Sequence, residues 1–93
     1  MFSEALAKEN NKWIMYYVYI LKSILDGRNY IGVTKDLKKR VKEHNYKGSK
    51  FTTSKRPYKI IWYAAFVNKI KAYQFEKYLK TGSGIAFLNR HLI

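Results

Sequence analysis

The 93-residue sequence predicts one α+β domain, a small antiparallel or mixed sheet flanked by helices in the order ββαβαα. Three observations carry that prediction. Runs rich in β-branched and aromatic residues recur at 16–22, 29–34 and 58–66. Asp26-Gly27 between the first two runs is a hairpin signal. The remaining patterned stretches repeat apolar residues at the helical period and begin at capping residues.

The first strand, Tyr-Tyr-Val-Tyr-Ile-Leu-Lys, is apolar or aromatic on both parities, as expected of a central strand covered on two faces. In the second, Ile31 and Val33 share one face, and Tyr30 and Gly32 the other. Thr34 or Asp36 can cap a first helix running to about Tyr46, with Gly48 as its stop. A polar, basic loop spans 49–57. Pro57 stands at the entry of the third strand, where a missing N–H is tolerated. Asn68 caps a second helix to about Lys80, which Thr81-Gly82 ends, and Ser83 opens a short last helix through Arg90. Residues 1–14 read as an N-terminal appendage and a candidate for disorder, with 15–93 as the folded domain. Within the appendage Phe2, Ala5, Leu6 and Ala7 have the spacing of a short amphipathic helix, and Glu9-Asn10-Asn11-Lys12 reads as its break.

Composition narrows the chemistry. With 47% hydrophobic residues, including nine Tyr, five Phe and two Trp, the chain can build a modest core without staples. It has no Cys, so disulfides, thiol catalysis and zinc–thiolate sites are excluded. Nineteen basic against six acidic residues give a net charge of +13. The charge is lopsided: residues 35–93 hold fifteen basic and three acidic groups, a net of +12. Such a field attracts polyanions and binds them with counterion release, which makes nucleic acid the leading partner. Neither a long apolar span nor a basic amphipathic tail suggests a membrane partner, and Met1 to Trp13 lacks a secretory pattern; a cytoplasmic location is expected.

Several residues exceed what a basic binding surface needs. On the first helix Leu37, Arg40, Val41 and His44 share a broad face, and Lys38, Lys39 and Lys42 lie opposite. An Arg at a core margin can grip a phosphate with its fork, or can simply pair with a carboxylate. On the second helix Glu76 joins Ala72, Phe75 and Leu79 on one face, and a buried carboxylate needs a partner or a metal. One carboxylate with waters and substrate phosphate is a common magnesium site; the competing reading is a salt bridge to Lys80 or Arg40. Tyr30 precedes Gly32, which leaves room beside its phenol. A phenol, with a reference pKa of about 10, serves as a base only where cations stabilise the phenolate. Tyr19 and Tyr30 are otherwise core aromatics. Near the C-terminus Ile85, Leu88 and Leu92 form a stripe with Asn89 beside it, an amide suited to a phosphate or to backbone. In the loop, Lys50, Thr52, Thr53, Lys55 and Arg56 mix cations and hydroxyls suited to phosphate contacts.

These residues together resemble the GIY-YIG nuclease superfamily. Tyr17-Val18-Tyr19 is similar to its first triplet, with Tyr for the usual Gly, and Tyr30-Ile31-Gly32 is the second triplet as written. Arg40, His44 and Glu76 match the family's Arg, helix His and metal-binding Glu, and Asn89 matches its C-terminal Asn. The resemblance is strongest to small stand-alone bacterial proteins similar to the N-terminal nuclease domain of the bacterial excision-repair machinery. It covers Met15 onward, and Val33 replaces the Lys that some relatives place after the second triplet. It implies a three-stranded antiparallel sheet with surrounding helices and divalent-metal-dependent hydrolysis of phosphodiester bonds, with DNA the favoured substrate. In that scheme Tyr30 is the general base, helped by Tyr19 or His44; Glu76 holds Mg²⁺ or Mn²⁺; Arg40 stabilises the transition state. A non-catalytic DNA- or RNA-binding domain on the same scaffold is the alternative. A protein-interaction adaptor fits the charge less well.

Overall fold

The computed structural model describes residues 7–9, 12–47 and 57–93. Lys50, Lys55 and Arg56, read above as a phosphate-contacting loop, lie outside the described residues, as does Gly48, the expected helix stop. The core is a three-stranded antiparallel sheet of β3 (Tyr16–Ser23), β4 (Asn29–Thr34) and β5 (Tyr58–Phe66), in the order β4-β3-β5. The fold is therefore α+β, and the sheet is antiparallel, not mixed. Before it, β1 (Ala7–Glu9) and β2 (Lys12–Ile14) form a two-stranded antiparallel ladder. Ala7 pairs with Ile14 there and so does not extend the short helix expected near the N-terminus.

As its two-sided apolar pattern requires, β3 is the central strand. Val18 and Ile20 point to one face and are fully buried with Ala72, Leu79 and Leu88; Trp62, Phe66 and Phe75 pack around them. Tyr19 and Leu21 point to the other face and join Tyr58, with Tyr30, Leu37, Val41 and Ile60 packed alongside. An irregularity between Ile20 and Leu21 shifts the register with β5, so that Tyr19 opposes Tyr63 while Leu21 opposes Ile60. At the β3–β4 turn Gly27 adopts φ 75°, a left-handed conformation that favours glycine. Asp26 Oδ1 accepts from the Arg28 N–H at 2.9 Å and holds the same turn.

Helix α1 (Leu37–Lys42) is capped by Asp36, whose carboxylate accepts from the Lys39 N–H at 3.0 Å. It continues as a wider π-helical turn over Glu43–Lys47. Within it the Asn45 side chain clips α1 to the start of β5: Oδ1 accepts from the Tyr58 N–H at 2.7 Å and Nδ2 donates to the Tyr58 carbonyl at 3.2 Å. Helix α2 (Lys69–Leu79) is capped by Asn68, which accepts from the Lys71 N–H at 2.9 Å. Helix α3 (Gly82–Phe87) starts one residue earlier than the expected Ser83, because Thr81, expected only to end the preceding helix, caps it. The Thr81 hydroxyl accepts from the Gly84 N–H at 3.1 Å and donates to the Tyr78 carbonyl at 2.7 Å. Gly84 is required by this corner, since a Cβ there would lie 2.7 Å from Leu79 Cα. The chain closes with a π-helical turn over Leu88–Leu92. Among the described residues, no helix is long and apolar enough to cross a membrane.

Candidate active site

Three strand positions set the site. Tyr19 on β3 pairs with Gly32 on β4, and Leu21 pairs with Tyr30, so Tyr19, Tyr30 and Gly32 face the same side of the sheet as α1. Gly32 is the reason that Tyr19 fits: a Cβ on it would lie 2.7 Å from Tyr19 Cζ. The phenol thus lies across a strand position that has no side chain.

Helix α1 brings its cation to that phenol. Arg40 Nη1 donates to Tyr19 Oη at 3.5 Å, and Arg40 Nε pairs with Glu43 Oε1 at 3.2 Å. Desolvation works to lower the Arg40 pKa. The hydrogen bond and charge interaction with Tyr19, and those with Glu43, outweigh it, so the pKa is raised above its ordinary value. His44, one turn on, meets Tyr19 edge-on at a ring separation of 6.3 Å and Tyr58 at 5.6 Å. Its Nδ1 is buried with no hydrogen bond to the described residues. Burial lowers the His44 pKa and the neighbouring Arg40 charge lowers it further, while Glu43 opposes both. The neutral imidazole is therefore the favoured form at neutral pH.

Tyr58 links these groups to the second phenol, its ring standing edge-on to Tyr30 at 5.2 Å. It is buried at the centre of this cluster, although sequence patterning marks it only as the start of a strand. Its signal was its position directly after Pro57, on the parity that faces α1.

Two further residues meet β4 from the C-terminal half: Lys80 at the end of α2 and Asn89 in the closing π-helical turn. Tyr30, Lys80 and Asn89 line one cavity of about 430 Å³, together with Asn29, Ile31, Leu79, Ile85 and Leu88. Ile85, expected in the apolar stripe, is 47% exposed and lines this opening. A second hollow of about 350 Å³ further along β4 is lined by Thr34, Lys35, Lys39, Arg40, Glu43 and Tyr73, among others. Glu76 stands on α2 between Tyr73 and Lys80, one turn from each. Tyr73 lines the second opening and Lys80 the first. The Glu76 carboxylate pairs with Lys80 Nζ, which settles the alternative partners in favour of Lys80 over Arg40. The Glu76 side chain is only 14% exposed, against 53% for Lys80.

The structure thus assembles Tyr19, Arg40 and His44 around one phenol, and Tyr30, Asn89 and Lys80 around another. Tyr30 and Tyr19 are joined through Tyr58 and His44. Among the described residues no group of three His, Asp or Glu side chains is placed to hold a metal. A metal here would take one protein carboxylate and complete its shell with water and substrate oxygens. That donor set suits Mg²⁺, which keeps several waters and binds through one or two carboxylates plus phosphate. The residues fit such an ion.

An antiparallel three-stranded sheet carrying Tyr-Val-Tyr and Tyr-Ile-Gly on paired strands, with Arg, His and Glu on the following helices, defines a class of nuclease-family domain. Residues 15–85 match the GIY-YIG catalytic domain, and the chain belongs to that family. Several similar proteins are bacterial. The chain is 42% identical over 67 residues to a UPF0213 protein of Bacillus pumilus, covering 71% of this chain and 67% of that protein. It is 43% identical over 67 residues to a UPF0213 protein of Clostridium perfringens, covering 71% of each. The UPF0213 protein YazA of Bacillus subtilis is 42% identical over 66 residues, covering 70% of this chain and 66% of its own length.

Proposed function

We propose that this protein is a divalent-metal-dependent endonuclease that hydrolyses phosphodiester bonds in DNA, with residues 15–93 as the nuclease unit and 1–14 as an appendage. The observation that carries this reading is the cavity that Tyr30 shares with Asn89 and with Lys80, the partner of Glu76. A phenol and an amide at one opening, with an ammonium there that is paired to a largely buried carboxylate, exceed the needs of a binding surface.

In this reading a phosphodiester enters along the β4 edge. Acting as the phenolate, Tyr30 takes the proton of the attacking water and becomes the neutral phenol as the water oxygen bonds to phosphorus and the opposite P–O bond breaks. Arg40 holds a non-bridging oxygen with its guanidinium, which the Tyr19 hydroxyl and Glu43 keep oriented. Neutral His44 packs against Tyr19 and can accept a proton. Asn89 donates its amide to phosphate. Glu76 holds Mg²⁺ or Mn²⁺, which when bound supplies Lewis-acid stabilisation of the phosphate and leaving-group charge. Lys50, Lys55 and Arg56 grip the flanking backbone.

A second reading keeps the scaffold and drops turnover, leaving a DNA- or RNA-binding domain. The ion pairs Arg40–Glu43 and Glu76–Lys80 favour it, because each charged group of the site already has a protein partner. Labelled DNA and RNA substrates incubated with Mg²⁺ or Mn²⁺ separate the two. The enzyme cuts at least one substrate, and Glu76→Gln keeps fold and binding while losing the divalent-dependent cut. Wild-type rates in Glu76→Gln would remove Glu76 from the site, and binding without cleavage across the panel would favour the second reading.

A further inference from the structure

Lys80 has two neighbours of different chemistry. Its ammonium pairs with the Glu76 carboxylate, and its side chain lines the cavity that holds Tyr30 and Asn89. The two ends of the ion pair are solvated unequally, with Glu76 at 14% and Lys80 at 53% exposure. A carboxylate so far out of water needs a cation close by. The ammonium, on a flexible four-carbon stem and half in solvent, is free to supply that charge or leave. Lys80 also ends α2, where the helix dipole favours a cation, so its position does not depend on Glu76 alone.

An ammonium and a divalent ion on the same carboxylate repel one another, so each weakens the other's hold. We propose that Lys80 is an exchangeable counter-ion: it neutralises Glu76 in the metal-free protein, yields the carboxylate to the divalent cation, and then meets the substrate phosphate in the cavity beside Tyr30 and Asn89. This rests on the reading of Glu76 as the metal ligand. It gives the Glu76–Lys80 pair a role in the cycle, where the binding-domain reading treats it as a terminal salt bridge.

The test uses the full chain stripped of metal, with Mn²⁺ alone as probe and free Mn²⁺ followed by electron paramagnetic resonance. Lys80→Met removes the competing ammonium and should bind Mn²⁺ at least roughly two- to fivefold tighter than wild type, the range for a fully exposed ion pair being the lower bound for one whose carboxylate is largely buried. Lys80→Arg should stay near wild type, and Lys80→Gln repeats the measurement with a polar neutral side chain should the Met variant lose its fold. In a second arm, binding of a short DNA oligonucleotide is measured against salt with Mn²⁺ present. Lys80→Met should lower the salt slope by about one phosphate contact. Mn²⁺ affinity that is lost in Glu76→Gln but unchanged or weaker in Lys80→Met and Lys80→Gln overturns the exchange and leaves the metal reading standing. An unchanged salt slope overturns the phosphate step. Absence of Glu76-dependent Mn²⁺ binding in the wild type overturns both the exchange and the metal reading.

Discussion

Tyr19 lies across Gly32, so close that the smallest side chain at Gly32 would place a carbon 2.7 Å from Tyr19 Cζ. The second triplet's glycine therefore makes room for the first triplet's tyrosine on the neighbouring strand, and through it positions the Arg40 guanidinium. Tyr19 is 3% exposed and has little space to retreat. Gly32→Ala should cost about 1–3 kcal/mol of stability by overpacking and should also reduce cleavage by freeing Arg40. Urea denaturation and a cleavage assay at a temperature where the variant stays folded read the two effects separately. Unchanged stability would mean that the Tyr19 ring has another place to go.

The base and the phosphate clamp are separable. Tyr30→Phe removes only a hydroxyl and should leave the edge-on packing on Tyr58 intact while slowing cleavage by roughly two to four orders of magnitude. Arg40→Lys keeps the charge and loses the fork, so cleavage should slow markedly while binding changes little. Single-turnover rates beside binding curves measure this. A near-wild-type rate in Tyr30→Phe moves the base role to Tyr19 or His44.

His44 makes stability depend on pH. Its folded-state pKa lies below the ordinary value of 6.5, through burial and the Arg40 charge. As pH falls through about 6.5 the unfolded chain takes up a proton that the folded chain resists. The neutral imidazole's contribution is thus fully present above that pH and lost below it. Melting temperature should fall between about pH 7.5 and 5.5 by more in the wild type than in His44→Gln. Parallel pH profiles for the two proteins would count against this role.

Binding should be dominated by cations, given the net +12 of residues 35–93. Affinity for DNA or RNA should fall steeply with salt. Neutralising Lys50, Lys55 and Arg56 together should lower the slope of log affinity against log salt by about three. Filter binding across a salt series checks this, and a slope unchanged in the triple variant would move the contact elsewhere.

By itself the sequence determined the three strands, nearly to the residue, because period-two patterning and a two-sided central strand are local properties of the chain. It also determined the cap Asn68 and narrowed the first cap to Thr34 or Asp36, of which the structure uses Asp36; each of these caps reaches backbone only three residues away. It placed the start of the last helix at Ser83, one residue late, because Thr81-Gly82 reads as the end of the preceding helix while Thr81 also caps the next one. Residues spaced one turn apart, such as Arg40 and His44, were legible as a shared face. The identity of their partners was not. That Arg40 reaches Tyr19, that Tyr58 stands between His44 and Tyr30, and that Lys80, the partner of Glu76, lines the opening shared with Tyr30 and Asn89 were decided only by the tertiary structure. Strand register and helix docking bring together side chains far apart in the chain, and no local pattern records which of several chemically equivalent residues will arrive.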